Sequence, residues 1–141
     1  MADENLPMSG TAAALDGVMV KACERVPGVR NAALVLLAEG ISIGGLGAGA
    51  AFDREPLVRA AVRCLGTSNA WVRSSRRVTE FAEYAFVGDE QITLILRGKL
   101  QPRLALVLVC TRESNLAFLL TAARDALREI ELVEELAEWV T

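Results

Sequence analysis

The chain has 141 residues, with 15 basic and 18 acidic side chains and a net charge of -3. That is room for one domain, which at this size buries roughly 68% of the surface its unfolded chain exposes and needs no disulfide staple. The balanced, slightly acidic charge lacks the basic face that nucleic-acid binding requires, and the absence of histidine excludes histidine-based acid/base catalysis.

Residues 1–10 (MADENLPMSG) show no period and predict a mobile tail, leaving 11–141 as a single domain. From Thr11 the pattern is helical. Leu15, Val18, Met19, Ala22 and Val26 recur on one face, and Pro27-Gly28 ends the helix. Asn31 to Ala38 is apolar on both faces, with Ala33, Val35 and Leu37 on one side and Ala32, Leu34 and Leu36 on the other, so it predicts a mid-sheet strand. Glu39-Gly40 turns the chain into a short strand, Ile41-Ser42-Ile43, its hairpin partner.

Gly45, Gly47 and Ala50 within GGLGAGAA match the G-x-G-x-x-G/A pattern of dinucleotide sites. The next helix begins only near Asp53, too late for its N-terminus to face a pyrophosphate, and the strands before it form a hairpin rather than a βαβ unit. The segment reads as a flexible joint. Asp53 then suits an N-cap and Pro56 a first turn, with Leu57, Ala61, Cys64 and Leu65 as the apolar stripe of a second helix that continues towards Arg73. Its small residues Ala60, Ala61, Gly66 and Ala70 let another backbone approach, either the chain's own sheet or a second copy. Arg73, Arg76 and Arg77 form the basic cluster, read either as a solvated helix end or as a docking patch for an acidic partner or phosphate.

Val78 to Val87 carries Glu80 and Glu83 among Phe81, Tyr84 and Phe86, and charge on both faces predicts an edge strand. Gln91 to Arg97 alternates, with Ile92, Leu94 and Leu96 on one face. Leu104 to Cys110 is an unbroken apolar run and must be covered on both sides. Ser114 follows as a candidate cap for a last helix running from Asn115 to about Val140, roughly 39 Å at 1.5 Å per residue. A strand of about seven residues spans only roughly 23 Å, so the helix end must find other company. Its five glutamates between Glu129 and Glu138, beside Leu136 and Trp139, make an acidic amphipathic extension that either meets a partner or a second copy, or lies solvated over the first helix.

Neither apolar run reaches the roughly 20 residues that span a bilayer, and no signal peptide precedes them, so a soluble cytoplasmic protein without membrane insertion is expected. Cys23, Cys64 and Cys110 read as reduced core thiols. No metal, cofactor or catalytic residue is expected, because no ligand set or nucleophile–base spacing is present.

The element order is αββαβββα. Two doubly apolar strands between hairpin neighbours give an α+β fold, a five-stranded antiparallel sheet ordered 2-1-5-4-3 with helices on both faces. Over about Thr11 to Arg128 the chain resembles the Roadblock/dynein light chain family, of profilin-like fold. The residues carrying this are Val26-Pro27-Gly28-Val29, Leu34 to Leu37 with Glu39-Gly40 and Ile41-Ser42-Ile43, and Thr111-Arg112-Glu113-Ser114-Asn115-Leu116. Ala117 stands where the family usually has a smaller residue, often glycine, and 44–52 and the end after Arg128 fall outside the shared pattern. In size the chain is most similar to the family's prokaryotic, MglB-like members.

The resemblance implies a homodimer with sheets joined edge to edge and second helices paired. It also implies a non-enzymatic scaffold that binds a small Ras-like GTPase and modulates its nucleotide state or localisation. Expected at the dimer interface are Leu57, Ala61, Cys64, Leu65, Phe81 and Tyr84. Expected at the partner are Arg73, Arg76, Arg77, Leu136 and Trp139. The alternative is a small-ligand sensory domain of profilin-like or PAS-like topology, with its pocket near Gly44 to Gly49.

Overall fold

Strand β5 (Leu104–Thr111) is buried over all but its last residue and carries the sheet, as an apolar run without a polar face requires. The computed structural model describes residues 15–47, 54–66 and 83–140. Four further strands, β1 (Val29–Leu36), β2 (Ile41–Leu46), β3 (Glu83–Val87) and β4 (Gln91–Arg97), join β5 in the order β2-β1-β5-β4-β3, every pair antiparallel. This is the sheet the sequence predicts. Residues 1–10, the predicted mobile tail, lie outside the described residues, as do 48–53 and 67–82.

The period of two along β1 and β5 divides the core into two layers. Ala32, Leu34, Leu36, Leu104, Leu106, Leu108 and Cys110 face one side, where they meet helix α1 (residues 15–23) through Leu15, Met19, Ala22 and Cys23. Helix α3 (Leu116–Glu131) covers the same side with Leu119, Ala123, Ala126, Leu127 and Ile130. Ala33, Val35, Ala105 and Val107 face the other side, with Ile95, and there they meet helix α2 (Glu55–Ala61) and its continuation as a π-helical turn, Val62–Gly66.

Two expectations are corrected at α3. Its N-cap is Asn115, not Ser114. Asn115 has the extended backbone a cap needs (φ -73°, ψ 158°), and its Oδ1 accepts from the Phe118 N–H at 2.8 Å. Nor does the helix run to Val140. It ends at Glu131 after 16 residues, about 24 Å. Val133 then turns extended (φ -80°, ψ 143°) into a 3-10 turn, Glu134–Leu136, and a short helix α4, Ala137–Val140. The turn brings Leu136 (1% exposed) and Val140 onto the α1/α3 core. The length mismatch between helix and sheet is thus resolved within the chain.

Glu131, the last residue of α3, accepts from the backbone N–H groups of Leu100 (2.8 Å) and Gln101 (2.7 Å) and so ties the β4–β5 connection to the helix. Among the described residues no helix is long and apolar enough to cross a membrane, and no group of three or more Cys, Asp or Glu side chains is placed to hold a metal ion.

Candidate protein-docking face

The side of the sheet that carries α2 is the less covered one among the described residues. Val58, Ala61 and Leu65 seat α2 over β1 and β5, and beyond it lie the outer strands β4 and β3. Tyr84 and Phe86, two apart on β3, share this face and stack with ring centroids 6.4 Å apart and planes within 5°. Phe86 is 50% exposed and Val87 53%. A groove between α2 and the outer strands is lined by Pro56, Arg59, Ala60, Cys64, Phe86 and Thr93.

β3 is the end strand, hydrogen-bonded among the described strands to β4 alone, so no described strand lies beside the outer edge of residues 85–87. Ala85, Phe86 and Val87 are all exposed along it. Edge strands are normally blunted by charge, and here the acid of β3, Glu83, is drawn away. Its carboxylate accepts two hydrogen bonds of 2.7 Å from the Arg124 guanidinium of α3. Those bonds, with the positive charges of Arg124 and Lys99, hold the Glu83 carboxyl below its usual range against the opposing effect of burial. The exposed edge is therefore apolar over its second half.

The predicted interface residues separate by depth. Leu57, Cys64 and Tyr84 are half-buried on the α2 side, where a second chain could reach them. Ala61 and Leu65 are fully buried beneath α2 and belong to the chain's own core, which corrects their expected place at the surface. Phe81 lies outside the described residues. Phe86 was not among the expected interface residues, and its signal was its spacing, two residues after Tyr84 on the same strand face.

Of the expected partner-binding residues, Arg73, Arg76 and Arg77 lie outside the described residues. Leu136 is in the core, a correction that follows from the break at Val133. Trp139 packs half-buried against that core, with its indole Nε1 buried and without an acceptor among the described residues.

The described glycines of the suspected ligand loop have another use. Gly44 and Gly45 are residues of β2. A Cβ at Gly44 would press on Leu15 Cβ at 3.2 Å, and one at Gly45 would meet the Arg54 guanidinium at 2.6 Å and the Ala32 carbonyl at 2.9 Å. The Gly45 N–H donates to Asp16 Oδ1 at 2.8 Å, and Asp16 faces Arg54 at 3.6 Å. These glycines let α1 and the start of α2 close on the sheet edge. Residues 48–53 lie outside the described residues.

No family model matches the chain, and no curated protein matches it. Solved structures do. A Roadblock/LC7 domain from Streptomyces avermitilis aligns with a TM-score of 0.68 at 16% identity, over 83% of this chain and 94% of that one. The gliding protein MglB of Thermus thermophilus aligns at 0.65 and 18% identity, over 83% and 88%. Myxococcus xanthus MglB aligns at 0.60 and 14% identity, over 95% and 92%. At these identities the likeness is one of fold, and the fold is that of Roadblock/LC7 domains, MglB among them.

Proposed function

We propose that this chain is a cytoplasmic, non-enzymatic scaffold that dimerises through its α2 side and β3 edge and binds a small Ras-like GTPase, modulating its nucleotide state or location. The observation that carries the reading is the unblunted β3 edge with the Tyr84–Phe86 stack beside it. Pairing two such edges covers the exposed Phe86 and Val87, and a self-complementary patch of this kind suits a two-fold axis. The joined α2 helices then form a platform twice the width of one chain, on which a GTPase can rest. The Roadblock/LC7 fold and its MglB examples supply the choice of partner.

The test is binding of purified Ras-like GTPases from the source organism, each loaded with GDP or a non-hydrolysable GTP analogue, to the wild type and to Phe86→Glu. Nucleotide turnover is followed in parallel. Nucleotide-dependent binding by the wild type, lost in Phe86→Glu, supports the proposal. Absence of binding to any of them in either state contradicts it.

A further inference from the structure

Between α3 and the β4–β5 connection opens a cavity of about 390 Å³, which shares no lining residue with the groove beside α2. That volume falls within the roughly 300–1,000 Å³ typical of small-molecule sites. The floor is apolar, formed by Leu96 of β4 and Leu127 of α3, both buried. Leu100 (59% exposed) and Leu132 (67%) also line it, and they are the two most exposed large apolar side chains among the described residues. The packing of the chain leaves both uncovered. Around these leucines stand three cations, Lys99 from the connection and Arg124 and Arg128, four residues apart on one face of α3.

The hydrogen bonds of this cavity are unequally shared between the two signs. Glu83 is engaged by Arg124, and Glu131 by the Leu100 and Gln101 N–H groups. Lys99 and Arg128 make no hydrogen bond or ion pair among the described residues. Arg124, held through Nε and Nη2, keeps the N–H groups of Nη1 without an acceptor there. Asp125 is the remaining acid and Arg97 the remaining cation, so the lining is positive by one charge in a chain of net charge -3. We propose that the cavity is a binding site for a small amphipathic anion, a carboxylate or phosphate carried on an apolar body such as a medium-length acyl chain. The cations take the head and the leucines take the body. Glu83 fixes the Arg124 guanidinium in advance, so less side-chain freedom is lost on binding. An uncharged apolar ligand would desolvate the cations without pairing them, and a wholly hydrophilic anion would leave Leu100 and Leu132 in water.

Isothermal titration calorimetry of the full chain with octanoate tests this, with octanol as the uncharged control and inorganic phosphate as the anion without a body. Octanoate should bind at least about tenfold more tightly than either control, and more weakly as salt rises. Lys99→Gln combined with Arg128→Gln, both exposed, should weaken it at least about tenfold. Leu132→Ser should weaken it as well, with no charge altered. Circular dichroism establishes that these surface variants are folded. Sedimentation with phosphatidylglycerol vesicles separates the sources: octanoate binding together with vesicle binding assigns a membrane lipid, and octanoate binding alone assigns a free acid. Failure to bind octanoate, equal affinity for octanoate and octanol, or affinity unchanged in the double glutamine variant overturns the proposal.

Discussion

Gly28 and Thr111 touch, and they bring together the two sequence motifs that lie furthest apart. The Thr111 N–H donates to the Gly28 carbonyl at 2.8 Å, and Gly28 holds φ at +72°, where a Cβ would collide with Thr111 Oγ1. Val26-Pro27-Gly28-Val29 and the Thr111–Leu116 segment are thus two halves of one joint, where β1 enters the sheet and β5 leaves it for α3. Gly28→Ala should cost about 2–4 kcal/mol by urea denaturation, the sum of left-handed backbone strain and the collision. In a Thr111→Ala background the collision is gone and about 1–2 kcal/mol of strain remains. Strictly additive costs would contradict the contact.

The Glu83–Arg124 pair makes stability depend on pH in a defined direction. The folded-state pKa of Glu83 is depressed, so its contribution is present above the ordinary value of 4.5 and is lost as pH falls through the lower, folded value. Glu83→Gln should be less stable than the wild type at neutral pH and should converge on it under acid conditions. A gap that stays constant through the acid range would assign the loss to something other than this ion pair.

The three thiols should differ in reactivity. Burial pushes Cys23 up to about 11, helped by the neighbouring Cys110 and Glu129, and pushes Cys110 up to about 11. Cys64, half-buried in the groove beside Phe86, is raised by its partial burial. At about pH 8, Cys64 should react first with an alkylating reagent, while the other two wait for denaturation. Its rate should be higher in Phe86→Glu than in the wild type, because dimerisation covers the groove and that substitution opens it. An equal rate in the two would place Cys64 outside any self-contact.

Leu136 separates the sequence reading of the C-terminal segment from the structural one. Buried at 1% exposure, it should cost about 2–4 kcal/mol when replaced by alanine. Trp139→Phe should cost far less, since the indole Nε1 it removes has no acceptor among the described residues. If Leu136→Ala left stability unchanged and weakened partner binding instead, the segment would be the exposed docking extension that its amphipathic pattern first suggests.

The contrast between β5 and α3 shows what the sequence could convey. Leu104 to Cys110 has no polar face, and burial on both sides admits few positions in a sheet, so strand order was legible. The break after Glu131 was not. Ile130, Val133, Leu136 and Val140 keep helical spacing straight through it, with no glycine or proline to mark the turn. What accompanies the bend is tertiary: it brings Leu136 and Val140 into the core shared with α1 and α3. Asn115 and Ser114 are both good caps, and only the backbone at Asn115 decides between them. At the candidate site, the Leu57, Ala61, Cys64 and Leu65 stripe was visible, but a stripe does not say which of its members its own sheet will bury. The π-helical turn that carries Cys64 and Leu65 has no sequence signal we recognise.

The most direct measurement is molar mass by light scattering over a concentration series, for the wild type and for Phe86→Glu. One chain is 15.1 kDa. The wild type should hold at twice that mass or more as it is diluted, and Phe86→Glu should lose the α2-side contact and fall by a factor of about two. A wild type that is monomeric throughout, or one whose mass Phe86→Glu leaves unchanged, would contradict the paired β3 edges on which the proposed platform rests.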